Sequence, residues 1–178
     1  MNTEGVKAGT STGNSVGRPL DLTRCELFRN LPSSRVAELE RQCRCRRFAA
    51  GDIILAAEDN RAHNVFVVLH GTAEVLRRCP YGDFVSLATI QPGMYFGEFS
   101  AIDGRSGSAT VRASNDAILA EIPREVFRLL LRDEPALAWH MMERLVHLIR
   151  SLDMRVAGLQ GCQVEVERIH RELFLVNL

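Results

Sequence analysis

The sequence lacks any apolar run long enough to cross a bilayer, and its first residues lack the hydrophobic stretch of a secretory leader. Those two absences predict a cytoplasmic protein with no membrane partner. A surplus of either charge is also missing: 22 Lys and Arg meet 22 Asp and Glu, for a net charge of zero. A chain without a basic surplus offers no general electrostatic footing for a nucleic-acid backbone. The five cysteines are an odd number, which reads as reduced thiols and excludes a disulfide framework. Cys43 and Cys45, two apart, are expected on one face of a strand, but no further ligands stand at a recognisable spacing, so no metal site is assigned. No H-x-H pair occurs either. His63 and His70 are seven apart, and His140 and His147 read as exposed helix positions, which excludes a metal-dependent jelly-roll enzyme. No Ser–His–Asp or Cys–His arrangement can be defended. No catalytic residue is assigned, and the chain does not read as an enzyme.

What is present is ordinary in bulk and specific in order. With 178 residues, 46% apolar and 25% charged, the chain suits one domain with appendages. Residues 1–19 are rich in Gly, Ser and Thr and read as a disordered tail. Ser33–Gln42 places Val36 and Leu39 on one side of a short amphipathic helix, with Ser33 as its expected cap. From Cys45 to Pro123 short apolar runs alternate with turn residues. Strands are expected at Asp52–Ala56, Val65–Leu69, Ala73–Leu76, Phe84–Ile90, Ala109–Ala113 and Ala117–Ile122. Gly51-Asp52, Gly71, Pro80–Asp83 and Pro92-Gly93 mark the turns. Arg44, Arg46 and Arg47 read as a solvated strand edge. The fold class is therefore mainly β with helices, in the form of a jelly roll.

Beyond Pro123 the period changes. Arg124–Leu131 forms a short helix, and Asp133 is expected to cap a longer one with Pro135 in its first turn. Met141, Leu145, Leu148, Leu152 and Leu159 approach a heptad seam, which a single-chain core face would also produce. Trp139 is expected to pack this helix onto the barrel. Gly158–Gly161 makes a hinge, followed by a helix over Val164–Leu175.

The most informative stretch is Phe96–Ala113, FGEFSAIDGRSGSATVRA. Gly97 has no β-carbon, so the main chain can approach a ligand there. Glu98 opens a short helical turn whose amides and dipole favour an anion, while its carboxylate suits a ribose hydroxyl. Ser108 can add a hydroxyl donor to the same phosphate. This stretch resembles the phosphate-binding cassette of cyclic-nucleotide-binding domains, in the form found in Crp/Fnr transcription regulators. Phe96, Gly97 and Glu98 match its first part; Ser108, Ala109, Val111, Arg112 and Ala113 match its second. LFRNLP, Phe48–Asp52 and VFVVLHG extend the likeness from about Leu27 to Val156.

The resemblance implies a double-stranded β-helix flanked by a short N-terminal helix and a long C-terminal dimerisation helix. It implies cyclic AMP or cyclic GMP as ligand, contacted by Gly97, Glu98, Phe99, Ser100, Ser108 and Ala109, with Ser151 facing the base. One departure falls on the residue that should carry charge: the family's phosphate arginine aligns with Gly107. A charge-assisted hydrogen bond is worth roughly 1.5–3 kcal/mol, so its loss weakens a nucleotide about ten- to a hundredfold. Arg105 is either a substitute cation or a solvated turn residue.

The domain reading is a tail at 1–19, a barrel at 20–132, a dimerisation helix at 133–158, and a hinge with the first helix of a truncated or absent winged-helix domain at 159–178. The implied function is the ligand-sensing and homodimerising part of a Crp/Fnr-like regulator, with DNA as a partner only if a winged helix follows Leu178. The alternative is a stand-alone interaction module that binds a protein partner, with no DNA and no required ligand.

Overall fold

The computed structural model describes residues 20–57, 63–78, 84–107, 109–147, 149–150 and 153–154. The Gly/Ser/Thr-rich tail, the hinge and the expected helix over Val164–Leu175 lie outside these. The chain divides into two compact units, Met1–Leu137 and Ala138–Leu178.

In the first unit a 3-10 turn at Glu26–Phe28 precedes α1 (Ser33–Gln42). Then come β1 (Arg44–Phe48), β2 (Ile53–Leu55), β3 (Val65–His70), β4 (Ala73–Arg78), β5 (Phe84–Ile90), β6 (Tyr95–Phe96), α2 (Glu98–Asp103), β7 (Thr110–Ala113), β8 (Ala117–Ile122) and α3 (Arg124–Asp133). All strand pairs are antiparallel and form two four-stranded sheets, in the orders β1-β8-β3-β6 and β2-β7-β4-β5. The expected mainly β fold with flanking helices is borne out.

Alternation along the strands explains where the core sits. Phe66 and Val68 of β3, Leu119 of β8, Phe96 of β6 and Val111 and Ala113 of β7 form one buried cluster between the sheets. Phe66 and Phe96 stack with ring centroids 5.4 Å apart. The intervening residues Val65, Val67 and Ile122 point away from that cluster and are also fully buried, so the first sheet is covered on both faces. Its second cover includes the N-terminal segment, whose Glu26 N–H bonds Gly93 O at 3.4 Å.

Several local expectations need correction. α1 begins at Ser33 behind Pro32, with no side-chain cap bond, so Ser33 is not its cap. α3 runs on to Asp133, and the break falls on Glu134 (φ −123°, ψ 80°), with helix again from 135 to 147. Pro135 is the cause, since a proline disfavours helical geometry in the residue before it. β6, only two residues long, was not anticipated. Cys43 and Cys45 do not share a strand face: Cys43 ends α1, where its Sγ lies 3.1 Å from Leu39 O, while Cys45 is exposed on β1. Burial first, and the Glu40 carboxylate second, push the Cys43 thiol up to about 12.

Two outcomes follow. Iodoacetamide at pH 8 should modify Cys45 rapidly and leave Cys43 unmodified in the folded protein, as read by peptide mass spectrometry. Equal labelling would contradict a half-buried thiol bonded to Leu39 O. Because the folded value lies above the unfolded 9.0, this neutral thiol's contribution to stability is intact below pH 9 and fades as pH rises toward 12. Separately, Gly71 has φ +77° and a β-carbon there would collide with Asp116 O. Gly71→Ala should lower the unfolding free energy by at least the roughly 1–2 kcal/mol of a left-handed non-glycine residue, read as a lower urea midpoint at unchanged slope.

Candidate functional site

The chain reaches the cassette through β6, where Phe96 pairs with Phe66 of β3. It then turns sharply at Gly97, in the left-handed region at φ +89°. A β-carbon on Gly97 would lie 2.5 Å from the carbonyl oxygen of Asn64, so the fold itself requires glycine there, independently of any ligand. Gly97 is the N-cap of α2 and offers no side-chain cap, and the first helical bond is Ala101 N–H to Gly97 O at 3.1 Å. The amides of the preceding turn, Glu98, Phe99 and Ser100, thus have no acceptor within the helix. Glu98 is half-buried, Phe99 is exposed and Ser100 is buried. The helix closes at Gly104 (φ +74°), whose N–H bonds Ser100 O at 3.0 Å.

Arg105 follows in an exposed turn, its backbone N–H held by Asp103 Oδ1 at 2.9 Å. Gly107 differs from its two neighbours among the glycines. Its φ is not left-handed, and a β-carbon there meets Leu55 Cδ2 and Ala109 O at 3.6 Å and Ser100 Oγ at 3.8 Å, all ordinary contacts. Position 107 therefore tolerates a β-carbon, which would stand beside the Ser100 hydroxyl. Ala109 is half-buried at the entry to β7. Ser108 and Ser151 lie outside the described residues. The structure thus brings Gly97, Glu98, Phe99, Ser100, Arg105 and Ala109 into one loop–helix–strand unit.

The supports of this unit escaped the sequence reading. Asn64 Nδ2 donates to Glu121 Oε1 at 2.7 Å, and Asn64 Oδ1 accepts the Arg124 backbone N–H at 3.2 Å. Arg124 Nε in turn donates to Ala101 O of α2 at 3.0 Å. Glu121, only 7% exposed, also accepts from Arg46 Nη1 at 3.0 Å. Arg46, expected to be solvated, is instead a half-buried partner, while Arg44 and Arg47 are exposed. A signal was available: a carboxylate inside the apolar strand AILAEI needs a buried partner.

In the second unit Trp139 is 62% exposed, and its Nε1–H donates to Glu143 Oε1 at 3.0 Å. That hydrogen-bond partner lies one turn along its own helix. Met141 is buried and Leu145 half-buried, and Leu148 and Leu152 lie outside the described side chains. The exposed apolar stripe is the neighbouring one: Trp139, Met142, Val146 and Ile149. Among the described residues no cluster of His, Cys, Asp or Glu is disposed to hold a metal, and no helix is long and apolar enough to cross a membrane.

This roll, with its glycine-opened helical turn between β6 and β7, has the architecture of a cyclic nucleotide-binding domain. Residues 45–134, half of the sequence, match the cyclic nucleotide-binding domain, and the chain belongs to that family. It is 22% identical over 138 residues to the CRP-like cAMP-activated global transcriptional regulator of Mycobacterium tuberculosis, covering 78% of this chain and 61% of that protein. The chain thus spans about three-fifths of that relative's length. Among solved structures, the catabolite activator protein of Thermus thermophilus superposes with a TM-score of 0.69 at 27% identity, over 75% of this chain and 62% of its own. The regulatory subunit of a cAMP-independent protein kinase A from Trypanosoma brucei shares the fold, with a TM-score of 0.61 at 19% identity over 70% and 44% of the two chains. These relatives are named as regulators or regulatory subunits.

The support network makes a stability prediction. Glu121→Ala strands the half-buried Arg46 guanidinium and the Asn64 amide, and should cost about 1–3 kcal/mol in chemical denaturation. Replacing the pair together, Arg46→Met with Glu121→Leu, should recover much of that loss. A double variant no more stable than Glu121→Ala would mean that the ion pair does not account for it.

Proposed function

We propose that this chain is the ligand-sensing and dimerising part of a CRP-like transcription regulator, taking cyclic AMP, cyclic GMP or a related effector at residues 97–109. The observation that carries the reading is the backbone of the cassette: a left-handed Gly97 opens α2 against Asn64, and Gly107, outside the left-handed region, tolerates a β-carbon at ordinary contact distances. In this reading the Glu98 carboxylate accepts from the ribose hydroxyl. The amides of Gly97, Phe99 and Ser100 and the Ser108 hydroxyl hold the phosphate, Ala109 borders it, and Ser151 reaches the purine edge. Arg105 is the nearby substitute cation. With Gly107 contributing no charge, the wild-type affinity is low.

Residues 20–132 form the sensing barrel, 133–158 the dimerisation helix and 159–178 the hinge and first helix of a winged-helix domain. A ligand acts by shifting the population of arrangements of the long helix. DNA enters as a partner, in the cytoplasm, only if a winged helix follows Leu178. The second copy docks on the exposed stripe Trp139, Met142, Val146 and Ile149, whose 3-4-3 spacing is that of a two-stranded coiled coil.

Calorimetric titration with cyclic AMP and cyclic GMP tests the ligand reading. Gly107→Arg should bind about ten- to a hundredfold more tightly than wild type, and adding Glu98→Ala should abolish that gain. Absence of binding to both wild type and Gly107→Arg at millimolar nucleotide would overturn it and favour the protein-partner module. Sedimentation tests the assembly: wild type should be a dimer and Val146→Glu a monomer. A monomeric wild type would remove the helix from this role.

A further inference from the structure

A cavity of about 420 Å³ lies between the N-terminal segment and the outer face of the β1-β8-β3 sheet, away from the cassette. That volume falls within the range of small-molecule sites, about 300–1,000 Å³. Strand alternation fixes its floor. Arg46 stands over the Phe48 ring, and Phe48 packs against the interior cluster, so Cys45 and Arg47 face outward. Leu119 is interior, so Ile118 faces outward, directly opposite Arg47 in the β1–β8 register. Val67 joins them from β3. The roof is the segment around Arg24, whose carbonyl oxygen would lie 2.9 Å from a β-carbon on Gly93.

The charges of the lining are unequal. Arg24 and Arg47 border the cavity, against the single carboxylate of Asp21. Asp21 is engaged by the Thr23 hydroxyl and by Arg24 at 3.6 Å. Arg47 has no ion-pair partner among the described residues. A guanidinium presents a planar fork that matches a carboxylate with two parallel bonds. One such fork beside the half-buried Ile118 side chain suits a single negative charge on a short hydrocarbon body.

We propose that this cavity is a second, cassette-independent site for a small aliphatic carboxylate. The Arg47 guanidinium takes the carboxylate and the Val67–Ile118 floor takes the chain. The proposal uses none of the residues 97–109 and stands whether or not a nucleotide binds there.

Octanoate and its uncharged isostere octanamide are the probes, titrated calorimetrically into the full chain. Octanoate should saturate, with octanamide weaker by about tenfold or more. Arg47→Gln should bring octanoate down to the octanamide level without changing octanamide binding. Ile118→Trp, which fills the floor, should remove both, whereas Glu98→Ala should leave both unchanged. Bound octanoate should also slow alkylation of Cys45, a lining thiol of the wild-type protein. Equal affinities for the two probes, persistence of octanoate binding in Ile118→Trp, or no saturation at millimolar octanoate would each overturn the proposal. Loss on Glu98→Ala would do so too, by moving the binding to the cassette.

Discussion

The cassette depends on one asparagine. Asn64 precedes β3, and each of its polar groups meets a different element of the site. Its carbonyl fills the space a β-carbon on Gly97 would need, its side-chain oxygen accepts the first amide of α3, and its side-chain nitrogen donates to Glu121 of β8. Arg124 closes the circuit by holding the α2 carbonyl of Ala101. Hydrogen bonds that share members in a low-dielectric setting reinforce one another, so the turn, the strand and the helix are fixed as a set. A displacement of α2 therefore bears directly on the start of α3.

The fold around that knot follows from the covering of the first sheet. Because β3 and β8 are buried on both faces, they read as nearly unbroken apolar runs, VFVVLH and AILAEI. The second sheet is different. Its edge strand β5 exposes every residue but the last, including Phe84, Val85 and Leu87. The rigid half of the roll is thus the half that carries Asn64, Glu121 and the entry to the cassette.

Much of this was legible in the sequence, for identifiable reasons. Strands between clear turn residues, such as Phe84–Ile90 and Ala117–Ile122, were read with their true limits. β6 was hidden because two residues carry no period, and its pairing to β3 is a tertiary fact. The Arg46–Glu121 pair was hidden because its members stand 75 positions apart, and a run of arginines looks solvated when read alone. Asn64 was hidden for the same reason, its carboxylate partner lying 57 positions away. The glycine-opened turn and the missing arginine were both visible. What the sequence could not supply was the reason for each glycine: Gly97 and Gly104 sit at left-handed backbone, and Gly107 does not.

That distinction separates two kinds of inheritance. Positions 97 and 104 are tied to the scaffold and cannot drift without disturbing it. Position 107 is under no such tie, and glycine and arginine codons stand a single base apart. A lineage built on this scaffold can acquire or shed an arginine there in one mutational step without disturbing the left-handed turns at 97 and 104. Under the ligand reading proposed above, sensitivity to a small anion is then a trait layered on the architecture, one that related proteins with the same roll are free to keep or lose.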